Sequence, residues 1–169
     1  MDRTPPRQAE EFVTASHSLR GAIVNAYAQV EFMLADLVAR CRELPEYASE
    51  ISKLPYGVDA RVKAIKKLCA MAGPLNEFQR DLVPIADKLL ELENDRHFLT
   101  HGFAICEHDK KGNVRLVLRR FVPRSGDEWT PAHRNFTPDE LMHLQKVTAV
   151  FVSTALEAFR RVHVQLGFA

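Results

Sequence analysis

The helical character of this chain is clearest in residues 12–41, FVTASHSLRGAIVNAYAQVEFMLADLVARC. Apolar and small side chains recur there at alternating steps of three and four residues. At about 100° per residue these positions fall within one arc, which predicts an amphipathic helix over about 5–42. A helix of this length is typical of a bundle spine or a dimer seam. The arc comprises Phe12, Ser16, Leu19, Ile23, Ala26, Val30, Leu34, Leu37 and Cys41.

Two further helices are predicted after a connector that proline and glycine interrupt. Apolar residues at helical spacing place the second helix over about 59–72 and the third over about 75–101. Pro84 lies inside the third pattern. We therefore expect a kink or a later helix start there, because proline lacks a backbone donor.

The period of the hydrophobic pattern changes after the third helix. Segments 103–106 and 114–122 are predicted as the two strands of a hairpin. The intervening Asp109-Lys110-Lys111-Gly112-Asn113 has the composition of a hairpin turn. Residues 123–134 are predicted as a polar loop that carries Trp129, and we expect its ring to pack onto the helices rather than to stack a base.

The last helix has the clearest predicted start. Thr137 and Glu140 form a capping-box pattern around Pro138, and apolar spacing carries the helix to about residue 166. The predicted fold is therefore mainly α. It is a bundle of four main helices in a single domain, with a β-hairpin (about 103–122) inserted before the last helix.

Composition excludes several classes of protein. The 169 residues include 23 Lys+Arg against 22 Asp+Glu, so a polycation that coats nucleic acid by charge alone is excluded. Phosphate-binding, dinucleotide-binding, lipase and zincin motifs are absent from the sequence. The three cysteines form no C-x-x-C pair, and reduced thiols indicate a cytoplasmic protein. No stretch approaches about 18 uninterrupted apolar residues, so we expect no membrane contact.

Arg96 stands out because the apolar stripe of the third helix, through Leu92 and Leu99, gives it a core-facing position. An unpaired guanidinium there would be very costly, so Arg96 must meet a carboxylate, an anion or a wet cleft. A structural ion pair with Glu31, at the margin of the first helix's stripe, satisfies this requirement as well as a functional anion does.

His97 and His101 are spaced to share one face of the third helix. Imidazole titrates near neutrality, so the pair suits acid–base catalysis. The same pair also suits a metal ion. Further ligands would come from Glu107, His108 or Asp109. A third interpretation is a simple helix C-terminus, because His101-Gly102 complements the helix dipole and the cap.

The segment Arg96-His97-Phe98-Leu99-Thr100-His101 resembles the motif of HEPN-domain proteins: arginine, a polar residue, three further residues and histidine. Gly102 and Tyr27-Ala28-Gln29-Val30-Glu31 are similar to features of HEPN-like bacterial proteins. Those domains are small helical bundles with the motif near a helix end, and the helical layout extends the resemblance loosely over most of the chain. The resemblance implies RNA cleavage without a metal ion or other cofactor, by a homodimer that pairs its motifs across a cleft.

The resemblance also implies roles for individual residues. His101 deprotonates the ribose 2′-hydroxyl or protonates the leaving 5′-oxygen, and Arg96 holds the scissile phosphate. His97 is the second acid–base group or orients the first. Asp95 or Glu31 sets a histidine tautomer or holds Arg96.

The leading functional hypothesis is an HEPN-like protein that acts on RNA, as an endoribonuclease of a toxin or defence system. Its expected partners are a second copy, RNA, and an antitoxin or other protein. Arg119 and Arg120, in a basic stretch, are candidate nucleic-acid contacts, although a solvated hairpin gives the same pattern. The alternative is a non-catalytic helical dimerisation or interaction module with Arg96 in a structural ion pair.

Overall fold

The computed structural model describes residues 7–109, 112–124 and 128–168. Within those ranges the chain is mainly helical, as predicted. The α-helices are α1 (Arg7–Cys41), α2 (Val58–Ala70), α3 (Gln79–His101) and α4 (Pro138–Leu166). A short 3-10 helix, Asn76–Phe78, precedes α3. The strands are β1 (Phe103–His108), β2 (Val114–Pro123) and β3 (Trp129–Phe136).

The predicted ends of the helices are largely confirmed. Thr137 N donates to Glu140 Oε2 at 2.8 Å, and Glu140 N donates to Thr137 Oγ1 at 3.2 Å, which is the expected capping box. α3 begins at Gln79, later than the predicted residue 75, but it contains Pro84, so the helix does not start at the proline. The predicted helical residues 5 and 6 and the turn residues Lys110 and Lys111 lie outside the described residues.

The predicted two-stranded hairpin is wrong in extent, because it is part of a three-stranded antiparallel sheet in the order β1-β2-β3. Segment 123–134, predicted as a polar loop, contains most of β3, which begins where Trp129 pairs with Pro123. β3 lies at an edge of this sheet, where polar residues and Pro131 are tolerated. For that reason the strand has no clear apolar alternation.

The two faces of the sheet differ in character, because successive side chains of a strand point to opposite sides. One face packs into a hydrophobic core with α1, α3 and α4 residues. This core comprises Phe12, Ile23, Phe98, Leu99, Leu116, Leu118, Phe136 and Leu141. We call the opposite side the outer face. It carries residues 103, 105 and 107 of β1, residues 115–123 of β2 at every second position, and residues 129, 131, 133 and 135 of β3.

The chain divides into two compact units, each assembled from two segments. The first unit comprises residues 1–25 and 94–148 and includes the sheet. The second comprises residues 26–93 and 149–169. In the second unit the buried Tyr47 hydroxyl accepts a hydrogen bond from Leu75 N at 2.8 Å. Gly73 leaves room for this ring, since a Cβ there would lie 2.6 Å from the hydroxyl oxygen.

Among the described residues, α1 is the one helix that is long and apolar enough, over Glu10–Cys41, to cross a membrane by length and composition. A single helix of this kind is weak evidence, because the core helix of a soluble protein meets the same criteria. In this chain 33% of the apolar window is buried. The absence of membrane contact and the cytoplasmic location therefore stay predictions.

Candidate functional site

The last turns of α3 bring Arg96, His97 and His101 together. The ring centroids of His97 and His101 lie 5.9 Å apart, with the planes inclined by 33°. Arg96 Nη2 lies 3.3 Å from His97 Nε2. The two imidazoles therefore share one face of the helix, as the spacing predicts, and a guanidinium lies next to them.

Burial within this helix end fixes the position of the pair. Phe98 and Leu99, between the two histidines, are buried in the core of the first unit. Arg96 and His97 are half-buried and His101 is exposed. The helix is thus anchored through its apolar residues, while the imidazoles stay accessible to a ligand.

The two carboxylates predicted to assist the site bind other arginines. Arg134 of β3 donates to Asp95, from Nε to Oδ1 at 2.8 Å and from Nη2 to Oδ2 at 3.3 Å. Glu31 belongs to the second unit, and Arg61 Nη1 donates to its Oε1 at 2.8 Å. The structure therefore pairs Glu31 with Arg61, where the sequence suggested Arg96.

A tight junction joins α3 to β1 and places His101 beside the sheet. Arg20 Nη2 donates to the Leu99 carbonyl oxygen at 2.6 Å, and burial lowers the pKa of this guanidinium. Gly102 N donates to the Phe98 carbonyl oxygen at 2.8 Å. A Cβ at Gly102 would lie 2.4 Å from that oxygen and 3.0 Å from Leu118 Cβ, so the close approach requires glycine. Sequence reasoning missed Arg20, whose partner is 79 residues away.

The histidine pair opens into a groove over the outer face of the sheet. The groove has a volume of about 1180 Å³, which exceeds the roughly 300–1,000 Å³ of small-molecule pockets. A cavity of this size suits an extended ligand. Its lining comprises His97, His101, Phe103, Glu107, Arg115, Val117, Arg119, Arg120, Phe121, Pro123, Trp129, Pro131, Ala132, His133 and Asn135.

Each strand contributes one exposed aromatic ring to this groove. Phe103 of β1 is 70% exposed, Phe121 of β2 is 67% exposed and Trp129 of β3 is 64% exposed. The expectation that Trp129 packs onto the helices is wrong, because its strand turns the indole to the outer face. Sequence reasoning did not single out Phe103 or Phe121. Strand alternation shows which residues share a face with Phe103 or with Phe121. It does not show whether that face is turned to the core or to solvent, because this depends on the rest of the fold.

The two predicted nucleic-acid contacts, Arg119 and Arg120, both line the groove but point to opposite faces of β2. Arg119 lies on the outer face, in register between Phe103 and His133. Arg120 is half-buried, and its guanidinium carbon lies 4.8 Å from the centroid of the Phe98 ring. Arg119 is therefore the better placed of the two to reach a ligand above the sheet.

Charge within the groove is predominantly positive. Glu107 is the one acidic residue of its lining among the described residues. Arg115 donates to Glu107 Oε2 at 2.7 and 3.1 Å, and Arg119 donates to Oε1 at 3.3 Å. The hydrogen bonds from Arg115 and the charges of both arginines lower the pKa of Glu107. Two arginines therefore pair with a single carboxylate that stays ionised at neutral pH, and Arg120 adds a third positive charge to the groove lining.

The described parts of the chain contain no set of ligands for a metal centre. No group of three or more His, Cys, Asp or Glu residues there could hold a metal ion. Asp109, one of the suggested ligands, accepts hydrogen bonds from Asn113 N at 3.0 Å and Asn113 Nδ2 at 2.8 Å. Its carboxylate thus stabilises the β1-β2 turn.

No protein-family model matches the chain, and no curated protein or solved structure matches it. The HEPN resemblance therefore rests on the motif and the helical layout.

Proposed function

We propose that the chain is an HEPN-like protein that binds RNA in the groove and cleaves it without a metal ion at the His97–His101 pair. One observation carries this proposal: two imidazoles 5.9 Å apart line a cationic groove and have the Arg96 guanidinium beside them. Transfer of a phosphoryl group from the 5′-oxygen to the 2′-oxygen of RNA requires a base, an acid and a cation.

The reaction proceeds in one proton-balanced step. One imidazole, which starts neutral, takes the proton of the ribose 2′-hydroxyl while the 2′-oxygen bonds to phosphorus. The other imidazole gives a proton to the 5′-oxygen as the phosphorus–oxygen bond breaks. The products are a 2′,3′-cyclic phosphate and a 5′-hydroxyl, and His97 and His101 end with exchanged protonation states. Arg96 stabilises the charge that accumulates on the phosphoryl oxygens.

The decisive experiment uses purified full-length protein, total RNA and tRNA in EDTA. We expect cleavage by the wild type that leaves 2′,3′-cyclic phosphate ends. His101→Ala should reduce the rate by about 10²–10⁴-fold, because acid–base groups contribute on that scale. Because His101 is exposed, the His101→Ala protein should have the same melting temperature as the wild type.

His143→Ala is the matched control, because His143 is an exposed histidine of α4 outside the groove lining. It should cleave like the wild type. An oligonucleotide with 2′-deoxyribose throughout should resist cleavage, since it lacks the nucleophile. Wild-type rates for His101→Ala, or intact RNA with every form of the protein, would contradict the proposal.

A non-catalytic dimerisation module is the second candidate, and one observation favours it. Phe32 of α1 points away from the buried stripe of its helix and is 68% exposed, and Val164 of α4 is 74% exposed. Aromatic side chains such as phenylalanine are enriched in protein interfaces, so an exposed ring on a long helix suits an interface between two copies. Light scattering tests this candidate: a dimer that Phe32→Ser converts to a monomer, together with no RNA cleavage, would favour the module.

A further inference from the structure

We infer that the outer face of the sheet is a stacking platform for unpaired RNA bases, with one base on each of Phe103, Phe121 and Trp129. The identity of the polymer as RNA rests on the proposed function. The platform itself rests on separate observations, namely ring exposure, strand register and charge. It predicts that the protein takes single-stranded segments and not duplexes.

The register of the sheet sets the three rings on one diagonal. Phe103 is paired with Arg119, two residues before Phe121 on β2. Trp129 is paired with Pro123, two residues after Phe121. From Phe103 to Phe121, and from Phe121 to Trp129, the path moves to the next strand and two residues along it. Such a diagonal step is about 7–8 Å. Phe103 follows His101 by two residues and lines the same groove, so the β1 end of the diagonal lies on the side of the histidine pair.

Stacking on such a path suits unpaired bases. Every base has a π-face, so aromatic rings bind successive bases without reading their sequence. Bases in a duplex are already stacked on each other and present only their edges and the backbone to a protein. Rings that are about two-thirds exposed and spaced one strand apart therefore fit nucleotides splayed from a flexible strand.

Charge complementarity decides between RNA and a second protein as the occupant. Three arginines and one glutamate give the groove lining a net positive charge, which complements a polyanion. Here Arg119 lies between Phe103 and His133 in one cross-strand row, and Arg115 lies further along the same face of β2. Both guanidinium groups also contact Glu107, whose single charge leaves the three groups net positive together. Such cations beside stacked bases are placed to bind the phosphates that link them.

Trp129 is the only tryptophan of the chain, so its fluorescence reports on the platform directly. The experiment titrates a 12-nucleotide unpaired RNA into His101→Ala protein in EDTA, and reads Trp129 quenching together with fluorescence anisotropy of the labelled RNA. We expect quenching and saturable binding. Phe121→Ala in the same background should weaken binding about five- to hundredfold, the range found for loss of one stacked base. Phe121→Trp should restore it.

Tyr56→Ala is the matched control, because Tyr56 is 97% exposed and lies in the second unit. It should bind RNA like the parent protein, and the same RNA annealed to its complement should leave Trp129 unquenched. Equal affinity of Phe121→Ala and the parent, or unchanged Trp129 fluorescence, would overturn the inference. A change of oligomeric state in Phe121→Ala without a change in RNA affinity would also overturn it, in favour of a protein interface.

The outcomes also separate this inference from the proposed function. Quenching and Phe121-dependent binding in a protein that never cleaves RNA would support the platform and contradict the nuclease. Cleavage that depends on His101 but not on Phe121 would do the reverse.

Discussion

The Asp95 carboxylate and the Arg134 guanidinium form two hydrogen bonds, at 2.8 and 3.3 Å, across a sequence separation of 39 residues. Asp95 immediately precedes Arg96 and His97 on α3, and Arg134 lies on β3 near the far edge of the sheet. This ion pair thus fixes the helix that carries the imidazoles to the strand that carries Trp129.

A double-mutant cycle measures that link. Asp95→Ala and Arg134→Ala should show a coupling free energy of about 1 kcal/mol in urea unfolding, because the pair is bidentate but only partly buried. Arg134→Ala should be the more destabilising single change, since its guanidinium also lies 5.0 Å from the Phe136 ring centroid. The exposed Arg7–Glu11 pair serves as the control and should show weaker coupling. Additive effects of Asp95→Ala and Arg134→Ala would contradict the link.

Two glycine-to-alanine substitutions should change the free energy of unfolding in opposite directions. Gly102→Ala should lower the free energy of unfolding by about 1–3 kcal/mol, because the new methyl group meets the Phe98 carbonyl oxygen at 2.4 Å. Gly21→Ala should raise it by about 0.5–1 kcal/mol, since nothing lies within 4 Å of that position in α1 and alanine favours the helix. Chemical denaturation of both variants tests this, and a Gly102→Ala protein as stable as the wild type would refute the close approach.

Removing the Tyr47 hydroxyl should destabilise the second unit. Tyr47→Phe leaves the Leu75 N–H without the acceptor that it has at 2.8 Å, at a cost of about 1–2 kcal/mol. Tyr56→Phe removes a hydroxyl from a residue that is 97% exposed and should change nothing. Equal melting temperatures for Tyr47→Phe and Tyr56→Phe would exclude a structural role of this hydrogen bond.

Stability should fall with pH on the acidic side of neutrality, in part through His163. Burial and, to a smaller extent, Arg40 lower the pKa of His163 below its usual 6.5, against the opposing charge of Asp36. Because the folded pKa is depressed, the unfolded chain binds the proton more readily, and stability is lost as pH falls below about 6.5. Thermal unfolding of wild type and His163→Gln from pH 7.5 to 5 tests this. The wild type should lose more stability than the variant, and parallel curves would contradict the prediction.

Local signals predicted the helices and the histidine pair. The Thr137–Glu140 capping box and the shared face of His97 and His101 depend on spacings of three and four residues, which a helix converts into contacts by itself. Such features need no knowledge of the rest of the fold.

The third strand and the stacking platform could not be predicted in the same way. β3 has polar residues and Pro131, and it becomes a strand through its pairing with β2. Phe103, Phe121 and Trp129 converge only because that register exists. Arg20 and Arg134 likewise find their partners 79 and 39 residues away, where sequence spacing carries no information.

One helix serves both units, and this has a consequence for any attempt to shorten the protein. The N-terminal part of α1 supplies Phe12 and Ile23 to the core under the sheet and Arg20 to the end of α3, while residues 26–41 belong to the second unit. We expect that the segment 94–148 does not fold when it is excised, because its core would lose the buried Phe12 and Ile23 of α1. Trimming the N-terminus would therefore impair the histidine pair, some 75 or more residues downstream, before it affected the second unit.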